Sequence, residues 1–286
     1  MALRPKSTQA RVGNIGLSKG MERVTIPNTN IEVSRIGFGT ASLHQKFDSR
    51  ERQKLLTSAY EEGITHFDTS PYYGHGLAEI DLGIFSKALR SNITITTKVG
   101  LYPSFNIYSR FAMSVWARCL CGKIAPHLSL PKVNYSVDRA RQSLETSLRA
   151  IKSCYVDFLL IHEPNISLIR TEEWASWLDH SKKAGKIRAY GLAGVSENIA
   201  QLLDNDKLDN VIQTNDSFEK NEAATLLRAG RHLQFTYGYF SSLSKDVEIF
   251  SDSALMKKAL DLNRTGSILI SSLKNQRIKA LARSCP

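Results

Sequence analysis

The feature that most constrains the fold is an alternation. From Arg23 onward, short apolar runs of β type alternate with longer stretches of helical periodicity, the pattern of a parallel sheet built from βα units. Eight runs read as strands: 35–40, 65–68, 93–97, 156–161, 187–191, 210–213, 232–236 and 267–270. Helices fit between them. Val137, Ala140, Leu144, Leu148 and Ile151 recur at helical offsets behind Ser136, a residue type suited to capping. Gly63 and Gly185 stand where helices end before the next strand. Ahead of the first run, residues 24–26 and 31–33 flank Pro27-Asn-Thr-Asn30 and predict a short hairpin.

Eight βα units without a break in composition predict an α/β fold: one closed (β/α)8 TIM barrel over residues 22–286 with an N-terminal β-hairpin. The length of 286 residues alone would also allow two small domains. No G-x-G-x-x-G follows any strand, which argues against a Rossmann domain. One connection breaks the rhythm. Almost forty residues part Lys98 from the helix at Val137, where such loops usually run about 2–6 residues. This long insertion after strand 3, about 101–135, leaves the face where barrel active sites lie. It reads equally as a lid or substrate wall and as a surface decoration or dimer contact.

With 42% hydrophobic and 23% charged residues, the chain has enough apolar surface for a large core. No stretch approaches the ~18 uninterrupted apolar residues of a membrane span. The net charge of +11 leaves nucleic acid open as a partner. The basic residues are scattered, however, and read as a solvated surface that also suits an anionic cofactor. Cys119-Leu-Cys121 has no second Cys/His pair at zinc spacing, so no metal site is expected. The four cysteines (with Cys154 and Cys285) read as reduced thiols of a cytoplasmic protein. Residues 1–21 hold Arg4, Lys6, Arg11 and Lys19, no acid before Glu22 and no apolar signal core. They read as a disordered segment or as preceding a start at Met21, with a transit peptide as the alternative.

Polar residues stand at or just beyond the ends of successive strands. Asp68 ends the second, Tyr73 follows in its loop, Lys98 ends the third and His162 ends the fourth. In a barrel these ends converge on one mouth. Asp68 would hold Lys98 charged, and Lys98 would lower the pKa of Tyr73. Tyr73 could then protonate a carbonyl oxygen as hydride reaches its carbon, while His162 orients that oxygen. The reverse direction oxidises an alcohol.

Four segments carry a resemblance. The stretch from Gly63 to Gly74, with Asp68 five residues before Tyr73, continues to Glu79-Ile-Asp-Leu-Gly83 and resembles the first signature of the aldo-keto reductase family. Leu144, Leu148, Tyr155, Asp157 and His162 resemble the second, and 97–98 and 185–191 look like further family segments. The resemblance covers roughly residues 22–282 and implies the tetrad Asp68, Tyr73, Lys98 and His162. Of the Tyr72-Tyr73 pair, the family's acid precedes the Gly, which selects Tyr73.

The resemblance also implies an extended nicotinamide cofactor across the barrel mouth. Gly39 and Thr40 would approach it through backbone, Gln213 would hold the carboxamide and Tyr237 would stack on the ring. Ser271, Ser272, Lys274 and Arg277 fall in the family's adenosine-phosphate loop. The Ser272/Arg277 pair matches one that holds a 2′-phosphate, which favours NADP(H) over NAD(H). The sequence departs from the family where Ser-Asn usually contacts the carboxamide: Ala193-Gly194 stands there. Ala280 and Leu281 likewise replace acidic and amide residues common one turn after Arg277.

The expected function is an NAD(P)(H)-dependent oxidoreductase acting on a small carbonyl or alcohol, an aldose among the candidates. With no tail after Pro286 to close the pocket, the insertion would do so through Tyr108, Phe111 and Trp116. The alternative is a cofactor-binding regulatory or scaffolding protein on the same barrel. Oligomeric state is not legible in the sequence.

Overall fold

All eight expected strands meet in one closed parallel barrel. The computed structural model describes residues 20–104, 130–203, 207–208, 210–240 and 251–285. The hairpin comes first, as β1 (Arg23–Thr25) and antiparallel β2 (Glu32–Ser34). The barrel then runs β3 (Ile36–Gly39), β4 (His66–Asp68), β5 (Thr94–Val99), β8 (Val156–His162), β9 (Ile187–Gly194), β10 (Ile212–Asn215), β11 (Phe235–Tyr237) and β12 (Ser267–Ile270). It closes where β12 pairs with β3, Ile268 opposite Ile36. β5 and β8 are buried at every position, because a parallel strand inside a ring of helices has no wet face.

Local chemistry sets the helix ends. The helix Val137–Ile151 follows the apolar spacing and buries that face; Ser136 accepts from the Arg139 N–H at 3.4 Å. Gly63 and Gly185 adopt φ of 96° and 72° after the helices Ser49–Glu61 and Thr171–Lys183, the left-handed turn a glycine makes at little cost. The hairpin lays Ile26, Ile31 and Val33 against Phe158, Leu160, Val211 and Phe235 and so plugs the barrel from below.

Two details differ from the sequence reading. The sixth and seventh strands start two and three residues later than expected. At their junction backbone groups bond side chains: Asn210 O accepts from the Gln234 and Asn28 amides at 3.3 and 3.4 Å, and Ile212 N–H donates to Gln234 Oε1 at 3.0 Å. An apolar run reports burial, not the start of a ladder. The insertion also has a built stem. β6 (Leu101–Tyr102) pairs antiparallel with β7 (Lys132–Val133), so both ends of the insertion are fixed beside the barrel mouth. Tyr108, Phe111 and Trp116 lie outside the described residues, as do 1–19.

Asp157, a residue of the second family-like segment, works as a structural clamp. Its buried carboxylate accepts from Ile95 N and Arg90 at 2.9 Å and from Arg188 at 2.7 Å. It ties β5, β8 and β9 together near their starts and thereby fixes where β8 delivers His162.

Candidate active site

The ends of all eight barrel strands and their loops surround a cavity of about 420 Å³, a size that suits a small-molecule site. Asp68, Tyr73, Lys98, His162, Gln213, Tyr237, Gly39 and Ser271 all border it. Adjacent registers bring them together: Asp68 lies beside Gly39 and Thr96, Lys98 beside Leu160, and His162 and Gln213 both beside Ala193.

Lys98 is the hub. Its Nζ lies 2.6 and 2.8 Å from the two Asp68 oxygens, 3.0 Å from Thr69 O and 3.3 Å from Tyr73 Oη. The ammonium is 1% exposed, which a lysine tolerates only when its proton positions are taken. Burial pushes Asp68 up and Lys98 down, each opposed by the charge of the other. Because Lys98 donates to Tyr73 Oη, the phenolic hydrogen is left to point elsewhere.

Tyr73 reaches the hub through an unusual loop. Gly74, His75 and Gly76 all have positive φ, at 56°, 56° and 91°. A Cβ on Gly74 would meet His44 Cβ at 2.6 Å, so this turn requires glycine there. The turn reverses the chain between Tyr73 and the helix Leu77–Phe85, leaving the phenol on the cavity. Tyr72 does not border it.

The expectation for the Tyr73 pKa is corrected. Burial, then the charges of Asp68 and Glu163, hold the phenol well above its usual value. Lys98 is already neutralised by Asp68, so it cannot outweigh them. Tyr73 is therefore a protonated donor in the resting site. His162 is neutral: burial and then Lys98 push it well below the ordinary histidine range. Its Nδ1 is buried with no hydrogen-bond partner among the described residues, and its ring stands edge-on to Tyr73 at 5.9 Å.

The cofactor residues divide. Gln213 bonds Asp68 through its side chain, yet its Oε1 is a buried acceptor without a partner among the described residues. An unpaired buried amide oxygen is costly, and a carboxamide N–H from a nicotinamide would satisfy it. Tyr237 forms an adjacent wall, and a Cβ on Gly39 would meet nothing nearer than 3.6 Å. The donor set thus fits a nicotinamide. Thr40 departs from expectation: its N–H and Oγ1 both donate to Asp68 O at 2.9 Å, so it braces Asp68 instead of facing the cavity. Ser272, Lys274 and Arg277 lie beyond the cavity. Ser272 Oγ accepts from Lys274 N at 3.2 Å, and Arg277 bonds Asp252 at 3.2 and 3.3 Å.

Sequence reasoning missed Glu163, Ser42 and Phe240, which also line the cavity. Glu163 carried a usable signal, being an acid directly beyond the end of β8. Ser42 and Phe240 carried none, since they reach the mouth through loops.

The aldo/keto reductase family model matches residues 35–222. The chain is 29% identical over 183 residues to L-galactose dehydrogenase of Arabidopsis thaliana, covering 61% of this chain and 49% of that protein. It is 30% identical over 184 residues to aldo-keto reductase YhdN of Bacillus subtilis, covering 62% and 48%. These matches thus span about half the length of those relatives. Among solved structures, aldo-keto reductase AKR11C1 from Bacillus halodurans in its holo form aligns with a TM-score of 0.70 at 19% identity, covering 93% of this chain and 91% of that one. An aldo-keto reductase from Klebsiella pneumoniae in complex with NADPH aligns with a TM-score of 0.62 at 17% identity, covering 93% and 90%. On the family match, with a closed barrel that carries the four polar residues at its mouth, this chain belongs to the aldo/keto reductase family.

Proposed function

We propose that the protein is an NAD(P)(H)-dependent oxidoreductase that interconverts a small polar carbonyl and its alcohol, with Tyr73 as general acid and base. The observation that carries the reading is the contact of Lys98 with Asp68 and Tyr73 on a cavity that His162 and Gln213 also border. When bound, the nicotinamide supplies or accepts the hydride. The rest falls to this chain. A carbonyl oxygen between Tyr73 Oη and the His162 ring takes the phenolic proton as negative charge develops on it. An alkoxide is a stronger base than a phenolate, so a donor with a raised pKa keeps its proton until that charge appears. Lys98, 3.3 Å away, then stabilises the phenolate, and Asp68 keeps the ammonium in place. Oxidation of an alcohol runs the same proton back.

Support for a polar substrate comes from relatives named for one, L-galactose dehydrogenase and the 6-dehydroglucose reductase of Agrobacterium fabrum. We extend aldoses to this chain on that basis, and a cytoplasmic location on its free Cys154 and Cys285. NADP(H) is the favoured cofactor. Two Arg277 N–H groups share one Asp252 oxygen, which leaves other guanidinium donors for a 2′-phosphate. One relative, from Escherichia coli, is named an NADH-specific methylglyoxal reductase, so Arg277→Ala is the deciding variant. It is expected to weaken NADPH binding about tenfold, the scale of one charge-assisted contact, and to leave NADH binding unchanged. Equal losses for both cofactors would refute the assignment.

The test of the whole reading is titration with NADPH and NADH, followed by coenzyme consumption against aldehydes, ketones and sugars. Binding with multiple turnover supports it. Binding without turnover across the panel favours the regulatory reading, which the Ala193-Gly194 departure keeps in view.

A further inference from the structure

Glu163 is the charged side chain of the cavity that the proposed chemistry leaves unused. Among the described residues, the charges lining the cavity are Asp68, Lys98 and Glu163. Lys98 is committed to Asp68, which leaves the Glu163 carboxylate without a cation of its own. Its position is built. Glu163 holds a left-handed backbone, φ 46°, which costs free energy for any residue but glycine. Its N–H donates to Ala193 O at 2.6 Å, and Tyr135 Oη, at the root of the insertion stem, donates to the carbonyls of His162 and Glu163. The backbone is thus clamped from both neighbours.

The side chain lies over Gly194. A Cβ there would meet Glu163 Oε2 at 2.8 Å and its Cα at 3.1 Å, so the glycine leaves open the space that the carboxyl fills. Val195 N–H donates to Oε2 at 3.2 Å, and the Asn198 side chain donates as well. A carboxylate accepts about four hydrogen bonds, so capacity remains on the cavity side. Gly194 is one of the two positions at the expected carboxamide site where this sequence departs from the family pattern. The departure makes room for an acid beside the reacting atoms.

We propose that Glu163 sets substrate charge: the site takes neutral, hydroxyl-bearing carbonyls, whose hydroxyl donates to the Glu163 carboxylate, and rejects carbonyls that carry a carboxylate. This rests on the oxidoreductase reading above. Like charges at this range repel in a partly dry cavity, whereas a hydroxyl supplies the missing donor.

The experiment compares kcat/KM for glyceraldehyde and erythrose with that for glyoxylate and succinic semialdehyde. It uses the full chain and its Glu163→Gln variant at pH 8, because burial holds the Glu163 carboxyl above the ordinary carboxylate range. The wild type is expected to favour the neutral group. Glu163→Gln is expected to narrow that preference about tenfold, the scale of one partly screened charge pair. Acidic substrates used as well as neutral ones, or a ratio moved less than about twofold by the substitution, overturn the proposal. A binding readout separates it from the parent reading. Sorbitol and gluconate are titrated into both proteins with NADP+ present, whether or not turnover occurs. Weaker gluconate binding that Glu163→Gln equalises supports the charge assignment even if no substrate turns over, in which case the oxidoreductase reading fails alone. Equal affinities in both proteins overturn the charge assignment. Thermal unfolding of the variant confirms that it is folded.

Discussion

Two buried histidines on the same barrel differ in how fully their rings are hydrogen-bonded. His66 begins β4 inside the barrel; its ring nitrogens lie 2.9 Å from Thr94 Oγ1 and 3.3 Å from Thr96 Oγ1, and the ring stacks on Phe235 at 4.6 Å. His162 ends β8 at the mouth, with a buried Nδ1 that has no partner among the described residues. Burial first, and the Lys98 charge second, keeps both neutral: His66 is pushed down to about 3, and His162 well below its ordinary range. What separates them is satisfaction, not protonation. A fully bonded ring stiffens the core, whereas a ring with an unspent nitrogen remains available for chemistry.

The sharpest break between interior and mouth is expected from Tyr73→Phe. It deletes only the hydroxyl proposed as proton donor, so kcat for carbonyl reduction should fall by about 10²–10⁴, the range of a lost general acid. NADPH affinity, read by fluorescence titration, should stay within about twofold, because the ring that borders the cavity is kept. Comparable turnover by the variant would remove Tyr73 from its role.

Next come the histidines as a pair. His66→Ala should cost about 2–4 kcal/mol of stability by opening a cavity and stranding two threonine hydroxyls. The kcat/KM of its folded fraction should barely move. His162→Gln should show the reverse: less than about 1 kcal/mol in denaturant unfolding, and a loss of about 10²-fold in kcat/KM. If both variants lose stability and activity in parallel, the two rings are not functionally distinct.

The smaller effects lie in pH dependence. His66 has a folded pKa below its unfolded one, so its contribution is full above about 6.5 and is lost as pH falls toward about 3. Glu79 has the opposite sign. Buried against Thr97 Oγ1 at 2.6 Å, its carboxyl is pushed up to about 7. Its contribution is full below about 4.5 and is lost as pH rises through about 7. Glu79→Gln should therefore stabilise the protein by roughly 2–3 kcal/mol at pH 8 and by less than about 1 kcal/mol at pH 5. Unfolding midpoints at the two pH values check this. An equal gain at both would mean that shape, not charge, sets the effect.

Much of this was legible in the sequence, because strand and helix periods are local and a parallel barrel gathers its strand ends at one face. The eight strands, the hairpin, the capped helix at Val137 and the convergence of Asp68, Tyr73, Lys98 and His162 all follow from that. Strand starts at β10 and β11 were misjudged, since a side chain such as Gln234 took hydrogen bonds that a ladder would have used. Thr40 shows the same limit, since only the packed structure reveals that Asp68 O takes both of its donors.

The sequence by itself determined which residues stand at the barrel mouth, because chain order and strand polarity suffice to place them. Only the tertiary structure decided what they do to one another. Burial and the charges of Asp68 and Glu163 raise the Tyr73 pKa, Asp252 engages Arg277, and Glu163 fills the space over Gly194. Most of these are meetings of segments far apart in the chain, and solvation and Coulomb energy depend on distance in space, which no local pattern encodes.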